Sequence, residues 1–348
     1  MKIRTILAGA IALGVAASAH ATTYTVVTVD ASSATSLGLT ASSINDNGQA
    51  AGFWVDGTPF DKVYHAYTVK ADGTGFTSID RPGYVATGAS GINNAGVIVG
   101  VSVDPSFTAT GFLRAPNGTY STIDPNAGGL TSAYSEAVGI NNLGDTVGYF
   151  DPTAPGAADP QVKAHGFLDQ AGIFTQLDVP VAWGTGTEAY SINDFGVIAG
   201  GYLDTVGLPK GFIYIAGLGY STPSVPGGAP FSLGAINDLG EVPVVVESYD
   251  PTSPTQRGYY SFLHTAAGDT PFSVPGAKYT NTYALNLKGQ VSGFYIDPSN
   301  AIHGFIASPA PEPAAWAMML LGFGLVGSVT RQRAAVTVPA SARSSAVC

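Results

Sequence analysis

One five-residue phrase recurs six times along the chain and constrains its fold more than any other feature. The phrase is Ile-Asn-Asp/Asn-x-Gly. It begins at Ile44, Ile92, Ile140, Ile192 and Ile236, and a diverged sixth copy begins at Leu285. The copies follow one another at intervals of 44 to 52 residues. Such regular spacing indicates one structural unit that is repeated and packs on its neighbours.

Each copy continues with the same succession of short runs. A second glycine follows the turn glycine by four residues, except in the fifth copy, which has Val244. An aspartate closes this run, a His/Gly-aromatic run follows, and a run such as Phe76-Thr77-Ser78-Ile79-Asp80 ends the unit. Asn-Gly and Asp-x-Gly favour the backbone angles of hairpin turns, and alternation of period two is typical of half-buried strands. Four strands in 44 to 52 residues is the size of a propeller blade.

The two ends of the repeat region complement each other. The sixth copy stops after Phe305-Ile306 and lacks its fourth run, whereas Tyr24 to Asp30 resembles that missing run. Pairing the two would remove the exposed sheet edge of an open array. The sequence therefore predicts an all-β, six-bladed β-propeller over residues 22–308, closed by an N-terminal strand. An open β-solenoid is the alternative.

The N-terminus has the features of a secretory signal peptide. Lys2 and Arg4 precede an apolar stretch from Ile6 to Ala17, and Ala19-His20-Ala21 fits a small-x-small cleavage site. We therefore expect residues 1–21 to be removed on export. The single cysteine, Cys348, lies at the other end, so the exported domain has no disulfide.

The C-terminus carries a second organised segment. Pro311-Glu312-Pro313 precedes an uncharged run of 16 residues, 314–329, and Arg331 and Arg333 follow it. This order predicts a hydrophobic helix that anchors the chain in the inner membrane, transiently or permanently, with its basic end on the cytoplasmic side. It resembles the PEP-CTERM sorting signal. The resemblance implies recognition by an exosortase-type membrane protease, and location in the cell envelope or outside the cell. We assign 309–333 to this signal and 334–348 to a disordered extension.

The repeats also resemble the extracellular HAF repeat family. The motif stands as His65-Ala66-Tyr67, His165-Gly166-Phe167 and His303-Gly304-Phe305. In the second, fourth and fifth copies Thr110, Lys210 and Gly258 replace the histidine, which argues against an essential ring of histidines. The resemblance supports an extracellular location and a repeat fold, and it implies no particular activity.

Charge excludes one class of partner. Residues 22–308 keep nine basic and 23 acidic side chains, which gives a net charge of −14 with histidine neutral. A surface this acidic repels phosphate backbones, so nucleic acid is not an expected partner.

The repeated asparagines form the strongest candidate site. On a propeller, equivalent residues lie in a ring on one face, where carboxamides could bind a sugar or an ion. Alternatively, each side chain bonds the backbone of its own turn, which a folding requirement would also repeat. The candidates are Asn45, Asn93, Asn141, Asn193, Asn237 and Asn286.

No catalytic, metal-binding or cofactor motif is present. The chain has no Gly-x-Ser-x-Gly elbow, no His-Glu-x-x-His helix and no phosphate-binding loop. We interpret the recurring histidines as packing or strand-end residues, and His264 has no obvious partner in the sequence. The strand-closing aspartates could contribute to calcium sites, but turn capping is the favoured interpretation. They are Asp56, Asp104, Asp151, Asp204, Asp250 and Asp297.

Two hypotheses for function remain. The favoured one is a non-catalytic surface or matrix protein that binds exopolysaccharide or protein, for which Trp54, Trp183 or tyrosines on one face would provide sugar stacking. The alternative is an envelope glycan hydrolase or lyase, which needs carboxylates gathered in one pocket. The acids that depart from the repeat pattern are its candidates: Glu136, Glu188, Glu241 and Glu247.

Overall fold

The computed structural model describes residues 23–31, 36–58, 61–153, 164–225, 232–249 and 257–310. The chain divides into two compact units, Met1–Pro309 and Ala310–Cys348. The described part of the first unit consists of 24 β-strands and one 3₁₀ turn, Pro125–Gly128. The predicted signal peptide, hydrophobic helix and C-terminal extension lie outside the described residues.

The 24 strands form six separate four-stranded antiparallel sheets, each the blade that one repeat predicts. The first contains β2 (Gly38–Ile44), β3 (Gln49–Thr58), β4 (Asp61–Lys70) and β5 (Thr77–Ser78). The second contains β6 (Ala86–Ile92), β7 (Ile98–Val103), β8 (Ala109–Arg114) and β9 (Tyr120–Ile123). The third contains β10 (Tyr134–Ile140), β11 (Thr146–Asp151), β12 (His165–Gln170) and β13 (Ile173–Leu177).

The remaining three blades follow the same order. The fourth contains β14 (Gly184–Ile192), β15 (Ile198–Asp204), β16 (Pro209–Ile215) and β17 (Gly219–Ser221). The fifth contains β18 (Ser232–Leu233), β19 (Val242–Tyr249), β20 (Arg257–Thr265) and β21 (Gly268–Phe272). The sixth contains β22 (Tyr279–Leu285), β23 (Val291–Ile296) and β24 (Ile302–Pro309), and its fourth strand is β1 (Tyr24–Val29).

The closing strand lies where the sequence predicts it. β1 runs antiparallel to β24, with Tyr24 opposite Pro309 and Val29 opposite Gly304. The first strand of the domain thus completes the last blade, and the six-bladed propeller is confirmed. The open solenoid is not observed.

The core lies between successive blades and is built from the aromatic residue of the His/Gly-aromatic run. This residue is fully buried in five blades, and in the fifth blade Phe262 is partly buried. Burying such a ring stabilises the fold by about 1.5–3 kcal/mol. The five buried rings are those of Tyr67, Phe112, Phe167, Phe212 and Phe305. Phe262 pairs with Val244, so Tyr260 occupies the histidine position of the fifth blade, and the sequence alignment that placed Gly258 there was wrong.

The second repeated glycine is explained by a bulge in the first strand of five of the six blades. In β10 the pairing with β11 slips between Ala137 and Gly139, which brings the two strands close together at Gly148. A Cβ on Gly148 would lie 2.0 Å from the carbonyl oxygen of Glu136, so no larger residue fits. β18 pairs with β19 through Ser232 and Leu233 without a register slip, and there Val244 replaces the glycine.

Candidate functional site

The first strand of each blade lines a central channel. Each of these strands leads to the isoleucine or leucine that directly precedes the repeated asparagine. We describe a position on such a strand by how many residues it lies before that isoleucine or leucine. A cavity of about 400 Å³ occupies the channel, from the asparagine turns to Glu136, four positions before Ile140. We call its two ends the asparagine end and the glutamate end.

At the asparagine end, the six repeated asparagines are buried and hydrogen-bonded within the fold. The Oδ1 atom of Asn45 accepts from the backbone N–H groups of Asn47 and Gln49 in its own turn. Its Nδ2 atom donates to the carbonyl oxygen of Asn93 in the next blade, at 2.9 Å. Each carboxamide thus satisfies its own turn, and most of them also join one blade to the next.

The ring of blade-to-blade bonds continues through four further asparagines and has one gap. Asn286 donates to the carbonyl of Asn45 and so joins the last blade to the first. Asn237 instead donates to Oε2 of Glu241, which follows it in the same turn. This geometry gives the asparagines a structural role. Their role in ligand binding stays a prediction.

A second ring at this end is formed by the residues that follow the asparagines. The backbone N–H of Asp46 donates to Oδ1 of Asn94, and that of Asp194 to Oδ1 of Asp238. Burial raises the pKa of Asp238, and the charges of Asp194 and Asp46 add to this shift, although the Asp194 backbone N–H opposes it. The asparagine end is therefore acidic, and its acids also hold neighbouring blades together.

The glutamate end is built from side chains that the repeats do not share. Three hydroxyl groups donate to the carboxylate of Glu136: Tyr149 at 2.9 Å and Tyr134 at 3.3 Å reach Oε2, and Ser90 at 3.0 Å reaches Oε1. Burial raises the pKa of Glu136, and the three hydroxyl groups oppose this shift. Burial also raises the pKa of Tyr134 to about 12, so this hydroxyl stays a neutral donor.

Glu188 occupies the equivalent position in the fourth blade, four residues before Ile192. Its Oε2 atom accepts from Tyr190 at 2.8 Å. Burial raises the pKa of Glu188, the Tyr190 hydroxyl opposes the shift, and the charge of Glu136 adds to it. Within the described part of the chain, no donor reaches Oε1 of Glu188.

Aromatic rings surround the same end of the channel. Phe53, Tyr190 and Tyr283 line the cavity itself. The ring of Tyr283 lies 5.8 Å from Phe294, and that of Tyr134 lies 6.0 Å from Tyr149. The glutamate end therefore combines flat apolar faces with a small set of hydroxyl and carboxyl groups, which is the composition of small-molecule sites.

The four acids singled out from the sequence separate in space. Glu136 lines the cavity, and its charge contributes to the raised pKa of Glu188. Glu241 bonds Asn237 in a turn at the asparagine end instead, and the side chain of Glu247 lies outside the described part. The sequence does not reveal the tyrosine cluster. The cluster could have been found by comparing the repeats, because its tyrosines stand at positions where the strands differ from one repeat to the next.

The recurring histidines pair with aspartates at the outer strands. His65 bonds Asp80 through Nδ1 at 2.7 Å, and the equivalent pairs are His165–Asp178 and His303–Asp30. The ring of His65 also stacks on Trp54 at 4.2 Å. These contacts are strand-end packing of the predicted kind.

His264 corrects one expectation from the sequence. Its Nδ1 atom lies 2.6 Å from Oδ1 of Asp269, across the hairpin of β20 and β21, so it does have a partner. The sequence hid this pair because neither residue recurs in the other blades.

The strand-closing aspartates cap turns in the described blades. Oδ1 of Asp104 accepts from the backbone N–H groups of Ser106 and Thr108, and Asp204 and Asp297 do the same in their turns. Asp250 lies outside the described residues. Among the described residues, no three His, Cys, Asp or Glu side chains are grouped to hold a metal ion. The described residues form no helix that is long and apolar enough to span a membrane.

Comparison with known proteins identifies one segment. Residues 309–334 match the PEP-CTERM protein-sorting motif. The motif implies an exported, envelope-associated protein that an exosortase processes. The match contains Pro311, Glu312, Pro313, Arg331 and Arg333, which the sequence predicts as the sorting signal. No curated protein matches the chain.

Similar solved structures include several β-propellers. TolB from Acinetobacter baumannii is 14% identical with a TM-score of 0.46, and the alignment covers 76% of this chain and 65% of TolB. The six-bladed fungal lectin of Aleuria aurantia is 12% identical with a TM-score of 0.46, covering 81% of this chain and 98% of the lectin. XC5397 from Xanthomonas campestris, a gluconolactonase, is 12% identical with a TM-score of 0.49, covering 84% and 92%. TM-scores this low carry no information about a ligand.

Proposed function

We propose that the protein is an exported, non-catalytic binding protein of the cell envelope or matrix, and that its propeller binds exopolysaccharide at the glutamate end of the channel. The PEP-CTERM match supports export and exosortase processing. In this proposal the hydrophobic run 314–329 anchors the chain in the inner membrane until processing, and the repeats are of the HAF type.

One observation carries the choice of ligand: aromatic faces and hydrogen-bonding groups converge on one end of a cavity of about 400 Å³. Sugar rings have apolar faces that stack on aromatic side chains, and hydroxyl groups that need polar partners. Tyr190 and Tyr283 supply faces, and the carboxylate of Glu136 supplies acceptors. Glu188 is not a lining residue, and it accepts from the hydroxyl of Tyr190, which is one. Trp54 does not serve this end, because it stacks on His65 in the outer part of the first blade.

The experiment measures binding of the producing cell's exopolysaccharide to a fragment of residues 22–310. This fragment includes all the described strands and their pairing partners, so it is a complete folding unit. We expect co-sedimentation that Tyr190→Ala and Tyr283→Ala each weaken roughly tenfold, since a stacked ring contributes about 1–1.5 kcal/mol. The control is Tyr260→Ala, an exposed tyrosine that does not line the cavity. Equal binding by all variants would exclude the channel as the site.

A glycan hydrolase remains the second candidate, because Glu136 and Glu188 occupy the same layer and both have raised pKa values. A carboxyl group with a raised pKa can serve as a general acid while its neighbour stays ionised. A lyase is disfavoured, because its acidic substrate needs a positive group and none of the described lining residues is Lys, Arg or His. New reducing ends that vanish in Glu188→Gln would establish hydrolysis; unchanged chain length would leave the binding function.

A further inference from the structure

The cavity in the channel is acidic without compensation. Its lining includes Asp46, Glu136, Asp194 and Asp238, and the described residues that line it include no Lys, Arg or His. Charges of one sign in a partly enclosed space focus the potential and repel ligands of the same sign. Uronates and sulfated or phosphorylated sugars therefore fit this cavity poorly, whereas a positive group fits it well.

Glu136 forms no ion pair with the described residues. Its three hydrogen-bond donors, Tyr134, Tyr149 and Ser90, are neutral hydroxyl groups. They orient the carboxylate but do not balance its charge. Burial raises the pKa of Glu136, which means that its ionised form is destabilised where it lies. A cation in the cavity would remove that penalty.

The aromatic walls favour the same kind of ligand. Tyr190 and Tyr283 line the same cavity as Glu136, and aromatic faces attract cations through their quadrupole. The cavity volume of about 400 Å³ far exceeds the space of an ammonium group, so it has room for a larger molecule that carries the cation. A sugar ring that bears an amino group provides both the charge and a face for stacking.

We infer that the channel selects glycans with free, protonated hexosamine residues over N-acetylated, neutral or acidic ones. This inference rests on the proposed glycan binding and names its ligand class. The ammonium group lies against Glu136, and the sugar ring lies against the tyrosines. N-acetylation removes the charge and adds bulk, so it weakens binding.

The test compares five probes by calorimetry on the 22–310 fragment: tetramers of glucosamine, N-acetylglucosamine, glucose and galacturonic acid, and the polyamine spermidine. We expect the glucosamine tetramer to bind about tenfold to 100-fold more tightly than its N-acetylated form, as a charge-assisted hydrogen bond predicts. Glu136→Gln should bring the two within about threefold. Asp72→Asn, which removes an exposed charge on the outer hairpin, is the matched control and should retain the preference.

Each outcome decides between the two proposals. Similar affinities for the glucosamine, N-acetylglucosamine and glucose tetramers would overturn the amine preference and leave glycan binding intact. Binding of spermidine as tight as that of the glucosamine tetramer would overturn the assignment to a sugar. If the fragment retains the producing cell's exopolysaccharide but binds no tetramer, the hexosamine assignment fails and the proposed glycan binding stands; if it binds neither, both proposals fail. The comparison of probes on the wild-type fragment decides the question even if Glu136→Gln does not fold.

Discussion

The ring of asparagines makes a quantitative prediction about stability. Asn193 is 5% exposed and makes three hydrogen bonds. Its Oδ1 atom accepts from Phe195 N and Val197 N at 3.1 and 3.0 Å, and its Nδ2 atom donates to the Asn237 carbonyl at 3.0 Å. At about 0.5–1.5 kcal/mol for each bond, Asn193→Ala should lower the free energy of unfolding by about 1.5–4.5 kcal/mol.

Two further variants separate the turn from the blade-to-blade contact. Asn193→Asp keeps the Oδ1 acceptor but places a carboxylate oxygen against the Asn237 carbonyl, so it should lose the inter-blade bond alone and add repulsion. Asn237→Ala breaks bonds only within its own turn, because its Nδ2 atom donates to Glu241. We therefore expect Asn193→Asp to be destabilising even though the local turn is kept.

The assay is urea unfolding of the 22–310 fragment, followed by tryptophan fluorescence. The midpoint should fall while the slope with urea stays constant, since a constant slope means that the exposed surface on unfolding is unchanged. A cost below about 0.5 kcal/mol for Asn193→Ala would refute the structural role of these bonds. The carboxamides would then be free to serve the ligand-binding role that the sequence suggests.

Three other outcomes are expected. Gly148→Ala should lower the free energy of unfolding by about 3 kcal/mol or more. Gly88→Ala, whose Cβ would meet only contacts of 3.7 Å and beyond, should lower it by about 1 kcal/mol at most. Similar urea midpoints for the two variants would contradict the explanation of Gly148 by the bulge. Burial raises the pKa of Glu136 above 4.5, so its contribution to stability is complete below pH 4.5 and is lost as the pH rises through its pKa in the folded protein. Glu136→Gln should therefore reduce the fall in the free energy of unfolding with pH, measured by urea unfolding at several pH values. An unchanged pH profile in this variant would contradict the prediction. His303→Ala breaks an exposed pair with Asp30 and also removes contacts with Asp297 and Tyr295. It should lower the free energy of unfolding by about 1 kcal/mol or less, measured by thermal unfolding, and a much larger loss would contradict their assignment to strand-end packing.

The fold could be predicted because the residues that determine it are the ones that repeat along the sequence. The asparagine turn, the bulge glycine and the buried aromatic recur since each blade needs them, as Asn141, Gly148 and Phe167 show in the third blade. The exception at Val244 also follows from the structure, because the short strand β18 makes no bulge against it.

The candidate site is predicted only in part, since it lies where the repeats differ. Glu136 and Glu188 stand out from the sequence as departures from the pattern, but nothing in their spacing shows that Tyr149 reaches Glu136 from the second strand of the blade. Nor does the sequence show that Gly201 leaves room for Tyr190, whose hydroxyl would lie 2.8 Å from a Cβ there. Such side-chain contacts depend on the twist of the blades.

The pairing of β1 with β24 determines when the propeller ring can close during synthesis. The strand that the ribosome makes first finds its partner only when Pro309 has been made, so the ring stays open through almost the whole of synthesis. Contacts between distant parts of a chain form late, because the loop between them must first close. Because the chain carries an export motif, we expect this delay to keep it incompletely folded and therefore able to cross a membrane. A permuted chain with β1 placed after β24 would complete each blade in turn; if it is exported as efficiently as the natural order, late closure has no part in export.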